Sequence, residues 1–303
     1  MRRKKSDLIV GVKMRNGLGN QMFVYAAARA LADRLGATLY IDTSRYAEVN
    51  RPDRPLELGA FGIKWSEVQL PPYSPQSGMQ RLATWLRLTD EPFRDFPILH
   101  FDEGFDTAFN AITGSCTILG NFQSWRYFAG HEAAIRATFD IDRLASPRIA
   151  PVEAEIAAAA LPVAVHVRRG DYTRSAERIA KLGMLSRPYY DLARATLERA
   201  TGRPSPTYFL FSDEPEVAAK ELVGWSNLRP VSGFSALEEF RLMASCRHFI
   251  TANSTFSWWA AWLGRATDKQ VLAPRQWFGP AFEKPVDPLD RLVPGWIGID
   301  NAY

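Results

Sequence analysis

Over residues 161–274 short β-rich apolar runs alternate with amphipathic stretches of helical length. The period switches from two to about 3.6 and back. The pattern predicts strands over 163–168, 208–211, 227–231, 248–251 and 270–273, and helices over 187–200, 216–223, 236–244 and 256–263. Local signals agree with these limits. Ser186 precedes a helix with Pro188 in its first turn, and Ser235 with Glu238 three positions on forms a capping box. Strands separated by helices pair in parallel, because a parallel neighbour needs a crossover. The C-terminal half is therefore expected to be a Rossmann-like α/β domain.

The N-terminal half gives a shorter signal. A strand over 8–14, a helix over 21–35 closed by Gly36 and a strand over 37–42 read as a β-α-β unit. Residues 50–110 are rich in Pro, Arg and aromatic residues and poorly periodic, with only Arg81–Leu88 suggesting a short helix. A strand is expected over 117–122 and a helix over 131–139. Pro147 and Pro151 mark residues 145–152 as an interdomain linker before an Ala-rich helix over 153–160. The expected domains are 1–150 and 151–303, and a chain of 303 residues is long enough for two cores.

Composition narrows the class. With 47% hydrophobic and 23% charged residues the chain reads as soluble and globular. The formal charge of +4 is dispersed rather than striped along one face, which argues against nucleic acid as a partner. Cys116 and Cys246 stand far apart, so there is no C-x-x-C metal or redox signature and a reducing compartment is expected. The basic start, Met1 to Lys5, could touch anionic lipid; the apolar run behind it is too short for a signal peptide and is broken by Lys13 and Arg15. No stretch approaches the roughly 20 apolar residues of a membrane span. The expected location is the cytoplasm, with at most peripheral contact at the inner membrane. Gly17 and Gly19 begin a dinucleotide-like turn, but Met22 stands where its third glycine would be, and Walker A is absent.

The candidate chemistry lies at strand ends, where open α/β sheets bind ligands. The run 163–167 delivers His166, Arg168, Arg169, Gly170 and Asp171 to one such end. Two permanently charged guanidiniums can grip phosphate through paired hydrogen bonds, although they could instead pair with surface carboxylates. Asn253, Ser254 and Thr255 precede a helix whose N-terminus favours an anion; the same residues would also serve as an ordinary cap. Asp213 could accept from a nucleoside or cap the next helix. Asp140-Ile141-Asp142, the one D-x-D triplet, could offer two carboxylates to a metal and reads as a charged helix end.

The motif HVRRGDY at 166–172, with GLGNQMF at 17–23, FSDEP at 211–215 and NSTFSWW at 253–259 followed by Ala260, Ala261, Trp262 and Leu263, resembles the bacterial α-1,2-fucosyltransferases. The four motifs stand in the family's order over roughly residues 8–264. The segment GNFQSWRYF at 120–128 also follows the family pattern. The resemblance implies two Rossmann-like domains facing across a cleft, the GT-B arrangement, with the C-terminal one more regular. Residues 1–150 would take the acceptor and 151–303 would bind GDP-β-L-fucose. The implied reaction is inverting, metal-independent transfer of fucose to a galactosyl hydroxyl of a glycan in α-1,2 linkage, with no cofactor. A related linkage, or nucleotide-sugar binding without turnover, are the alternatives. Arg168, Arg169 and Asp171 are the expected catalytic residues, with Asp171 the candidate base. Asn20, Gln21, His166, Asp213, Asn253, Ser254, Thr255, Gln123 and Trp125 are the expected substrate contacts, and no metal ligands are expected.

Overall fold

The computed structural model describes residues 8–47, 55–70, 93, 96–170, 175–202, 205–284 and 286–301, and these divide between Thr138 and Phe139 into two compact units. The expected helix at Arg81–Leu88 and the expected base Asp171 lie outside the described residues.

The first unit contains β1 (Ile9–Lys13), α1 (Leu18–Leu35), β2 (Thr38–Asp42), β3 (Ser66–Glu67), β4 (Ile98–Phe101), β5 (Cys116–Gly120) and α2 (Glu132–Thr138). Its sheet has the order β3-β2-β1-β5-β4, parallel throughout. Gly36 ends α1 in the left-handed region at φ 63°, and the N–H of Ala37 donates back to the Ala32 carbonyl at 2.8 Å. That αL cap lets the chain reverse directly into β2. All five residues of β5 are buried, as expected for a strand covered on both faces.

The second unit contains α3 (Ala150–Ala158), β6 (Pro162–Val167), α4 (Ala176–Leu182), α5 (Arg187–Thr201), β7 (Thr207–Ser212) and α6 (Pro215–Glu221). It continues with β8 (Leu228–Val231), α7 (Ala236–Ala244), β9 (His248–Ile250), α8 (Thr255–Leu263), β10 (Val271–Pro274) and β11 (Ile297–Ile299). The strand order is β11-β10-β9-β6-β7-β8, all parallel. Counted within the unit this is the doubly wound order of the Rossmann fold. The chain runs outward from β6 to β8, then returns to β9 on the other side of β6. The topological switch point therefore lies between β6 and β9. Val163, Val165 and Val167 of β6 pack with Tyr189, Tyr190, Ala193 and Leu197 of α5 in one core. The capping box of Ser235 and Glu238 starts α7 as the spacing predicts.

The division falls earlier in the chain than the expected boundary at residue 150. Phe139 packs its ring on Trp259 at 5.3 Å, and Arg241 donates to the carbonyl of Ile141 at 2.6 Å and to Glu153 at 2.5 Å. These contacts bind residues 139–150 into the second unit, so this Pro-containing stretch packs rather than links. Pro151 sits in the first turn of α3, where a missing N–H costs nothing.

Candidate active site

The site builds from the register of the second sheet. Val167 of β6 pairs with Ser212 of β7, which brings the next residues, Arg168 and Asp213, side by side. Arg168 Nη1 lies 3.1 Å from Asp213 Oδ2, and the backbone N–H of Arg169 donates to Asp213 Oδ1 at 2.9 Å. The turn then tightens at Gly170, with φ +34°; a Cβ there would lie 2.0 Å from Asp213 Oδ2. Only glycine lets the loop close over that carboxylate. Asp213 thus orients Arg168 and caps the loop after β6.

The structure separates the two arginines that the sequence presents as equals. Arg169 has a side chain 3% exposed, and its guanidinium is spent on the chain itself. Its Nε donates to Glu221 Oε1 at 2.8 Å and its Nη2 to Glu221 Oε2; Nη1 reaches the Arg168 carbonyl at 2.7 Å and Nη2 the Leu185 carbonyl at 3.0 Å. Arg169 is a structural tie rather than a phosphate grip. Arg168, with its side chain 19% exposed, is the arginine presented at the strand end.

The switch point is braced from α5. Tyr190 donates its hydroxyl to the His166 carbonyl at 3.2 Å, and Tyr189 to the Thr251 carbonyl at 2.6 Å, so adjacent tyrosines hold the ends of β6 and β9. Beyond β9, Ser254 is the N-cap of α8 but makes no side-chain capping bond. The first-turn N–H groups of Thr255, Phe256 and Ser257 have no intrahelical partner by helix geometry, and they start α8 beside the strand end that carries Arg168. A guanidinium and a helix N-terminus at one switch point suit an anion.

Asn253, expected as a contact, has a different task. Its Nδ2 donates to the carbonyls of Leu182 at 2.9 Å, Gly183 at 3.1 Å and Trp277 at 3.0 Å, which staples two loops to the end of β9. His166 is 5% exposed, and among the described residues its Nδ1 has no hydrogen-bond partner. Burial, reinforced by Arg168 and Arg169, pushes its pKa down to about 3, so it is neutral at any working pH. The ring lies beside Phe256, centroids 6.1 Å apart.

Glu239, on α7, was not legible as a site residue in the sequence. It is half-buried and accepts no hydrogen bond from the described residues. Burial, with the charge of Asp213 nearby, pushes its carboxyl up to about 7. Nothing in the pattern distinguished it from Glu238, whose place is explained by the capping box.

The D-x-D triplet carries no free carboxylate: Asp140 accepts from the N–H of Asp142, and Arg241 and Arg265 hold the pair. Among the described residues no group of His, Cys, Asp and Glu could hold a metal ion.

In the first unit, Gln21 is fully buried and its amide is consumed. Nε2 donates to the carbonyls of Asn16 at 2.9 Å and Pro55 at 2.8 Å, and Oε1 accepts from the N–H of Glu57 at 2.9 Å. Gln21 therefore anchors residues 55–57 rather than facing a ligand. Gln21→Leu is expected to lower the melting temperature by leaving buried backbone groups unpaired, at about 1–3 kcal/mol, and thermal denaturation followed by circular dichroism measures it.

Asn20 remains half-buried, its Oδ1 fixed by Gln123 Nε2 at 2.6 Å. Next to it Asn16 Nδ2 donates to Asn121 Oδ1 at 3.3 Å, and Asn121 Nδ2 donates to Glu103. These amides lie beyond the carboxyl ends of β1, β4 and β5. Phe122 holds them there from a left-handed backbone at φ +51°, its buried ring anchored on Phe101 at 5.6 Å and Tyr127 at 5.2 Å. Trp125 is half-exposed in the short helix that follows.

The chain belongs to glycosyl transferase family 11, whose description matches residues 98–300. It is 29% identical to the O-antigen biosynthesis glycosyltransferase WbnK of Escherichia coli, over 86% of this chain and 92% of that one. It is 27% identical to an α-1,2-colitosyltransferase of Escherichia coli over 97% and 99% of the two chains. A mouse galactoside α-(1,2)-fucosyltransferase 2 matches at 30% over 45% of this chain and 40% of its own. Among solved structures, POFUT1 in complex with GDP covers 88% of this chain and 98% of its own at 15% identity, with a TM-score of 0.48.

Proposed function

We propose that this protein transfers L-fucose from GDP-β-L-fucose to a galactosyl hydroxyl of a glycan in α-1,2 linkage, with inversion and without a metal. The observation that carries this reading is Arg168, held by Asp213 at the end of β6 on one side of the switch point whose other side is the uncapped start of α8. Arg168 binds the β-phosphate, and the N–H groups at Thr255 and Phe256, with Ser254, meet the diphosphate from β9. As the bond from the anomeric carbon to phosphate oxygen breaks, negative charge grows on the leaving diphosphate. Donors already fixed in place stabilise that charge without reorganising. The guanidinium supplies the positive charge that a metal would otherwise bring.

Nucleobase recognition falls to His166 and Glu239. An ionised Glu239 carboxylate can accept from both the N1–H and the 2-amino group of guanine, a pair that adenine and uracil lack. The acceptor hydroxyl attacks the opposite face of the sugar and gives up its proton, with Asp171 the candidate base. In the first unit the amides of Asn20 and Gln123 and the ring of Trp125 contribute to glycan binding, since amide and aromatic groups suit sugar hydroxyls and sugar faces. A cytoplasmic location fits the two buried, unbridged cysteines. Among the described residues no helix is long and apolar enough to cross a membrane.

GDP release from GDP-fucose is expected only with a β-galactoside present, at the same rate in EDTA, and product linkage analysis identifies the hydroxyl used. Loss of turnover in EDTA restored by Mg²⁺ or Mn²⁺ overturns metal independence; turnover without any acceptor overturns the transferase assignment. The likeness to an α-1,2-colitosyltransferase over nearly the whole chain favours a second donor, so GDP-colitose is assayed in parallel.

A further inference from the structure

A phosphate ligand must be held in place through its backbone as well as its side chain. Arg168 follows directly on the last residue of β6, in a turn where Gly170 already has positive φ. Its carbonyl accepts from Arg169 Nη1 at 2.7 Å, and its guanidinium leans on Asp213, whose other oxygen accepts from the Arg169 N–H. The restraint on the Arg168 backbone thus runs through the Arg169 guanidinium, while the Asp213 contact is held by backbone. The Arg169 guanidinium is aimed in turn by one carboxylate, that of Glu221 at the C-terminal end of α6, which takes Nε and Nη2 together. Two parallel bonds fix the plane of a guanidinium as one bond cannot. The end of α6 is itself pinned, because Arg187 on α5 donates from Nη1 to the carbonyls of Glu221 at 2.6 Å and Val223 at 3.0 Å.

We propose that Glu221 is a positioning residue for phosphate recognition: through Arg169 it holds Arg168 in the geometry that grips the β-phosphate, without touching substrate itself. This rests on the reading of Arg168 as the β-phosphate ligand of a GDP-sugar. The carboxylate is about a third exposed while Arg169 is buried. Substitution at 221 therefore changes the aim of the guanidinium without emptying a core position.

The test compares GDP with GMP, which lacks the β-phosphate, by titration calorimetry on the full chain. Glu221→Gln keeps size but replaces one acceptor oxygen by an amide NH2 donor that faces the guanidinium. It is expected to weaken GDP about tenfold, to leave GMP within about twofold and to lower kcat. Glu221→Asp, which keeps both oxygens, is expected to recover part of the GDP to GMP ratio; should the glutamine variant not fold, the aspartate variant carries the test through a ratio between wild type and one. An unchanged ratio in these variants, with Arg168→Ala lowering it, overturns the role of Glu221 alone. GDP and GMP weakening together by the same factor also overturns it, since that is the mark of general loosening. An unchanged ratio in Arg168→Ala overturns the underlying reading of Arg168.

Discussion

Arg168→Ala is expected to lower kcat/KM for the GDP-sugar by about 10²–10³, the loss seen when a preorganised donor to a developing oxyanion is removed. Arg168→Lys is expected to recover little, because an ammonium is a point charge without the planar fork, and from this position its shorter reach would also break the contact with Asp213. The neighbouring arginine should behave differently. Arg169→Ala removes the partner of Glu221 and the donors to two carbonyls inside the fold, so its loss appears first as instability, about 1–3 kcal/mol for the backbone acceptors left unpaired, while the third-exposed Glu221 carboxylate can be hydrated. The checks are steady-state kinetics of folded protein for the first variant and a melting curve for the second. Near wild-type turnover in Arg168→Ala would sink the anion site, whatever Arg169 does.

That contrast shows where sequence reasoning stopped. The alternation over 161–274 located the parallel sheet because most strands there have a clear apolar run and are separated by crossover helices, and strand ends could be assigned chemistry by topology alone. Arg168 and Arg169, by contrast, differ only in which face of the last turn they take, and that is decided by Glu221, some fifty positions away. Asn253 and Gln21 misled for a related reason. An amide at a helix start can serve a ligand or the chain's own carbonyls, and the carbonyls concerned, those of Leu182, Trp277 and Pro55, come from distant loops. The missed strands β3, β4 and β11 all sit at sheet edges, where one flank is unpaired and a run of two to four residues suffices. Such short runs give no measurable period. The strain at Phe122 and the amide cluster it supports had no sequence signal, since a positive φ on an aromatic residue is imposed by packing.

Glu239→Gln is expected to separate binding from stability in opposite directions. The carboxyl is raised from an ordinary 4.5 to about 7, chiefly by burial and then by the charge of Asp213. Because the folded-state value lies above the unfolded one, ionising Glu239 opposes folding: the deficit grows as pH rises from 4.5 to 7 and is fully present above 7. A neutral glutamine escapes it. The variant should therefore melt higher than wild type at pH 8 and close to it at pH 5, by roughly 2–4 °C for each kcal/mol relieved. Nucleotide affinity should move the other way. With the ionised carboxylate as the acceptor for guanine, the variant should bind GDP about 10–100-fold more weakly than wild type at pH 8, the worth of a hydrogen bond to a charged group, and the gap should narrow as pH falls to 6; the ratio of the two affinities is the readout, because the terminal phosphate of GDP, with a pKa of about 6, titrates in both. The inosine analogue of GDP, which lacks the 2-amino group, should bind wild type more weakly than GDP and the variant almost equally to it. His166 is neutral above about pH 3 and Arg168 stays charged throughout, so neither contributes to that difference. If Glu239→Gln binds GDP as tightly as wild type and keeps the same preference over the inosine analogue, the carboxylate does not read the base.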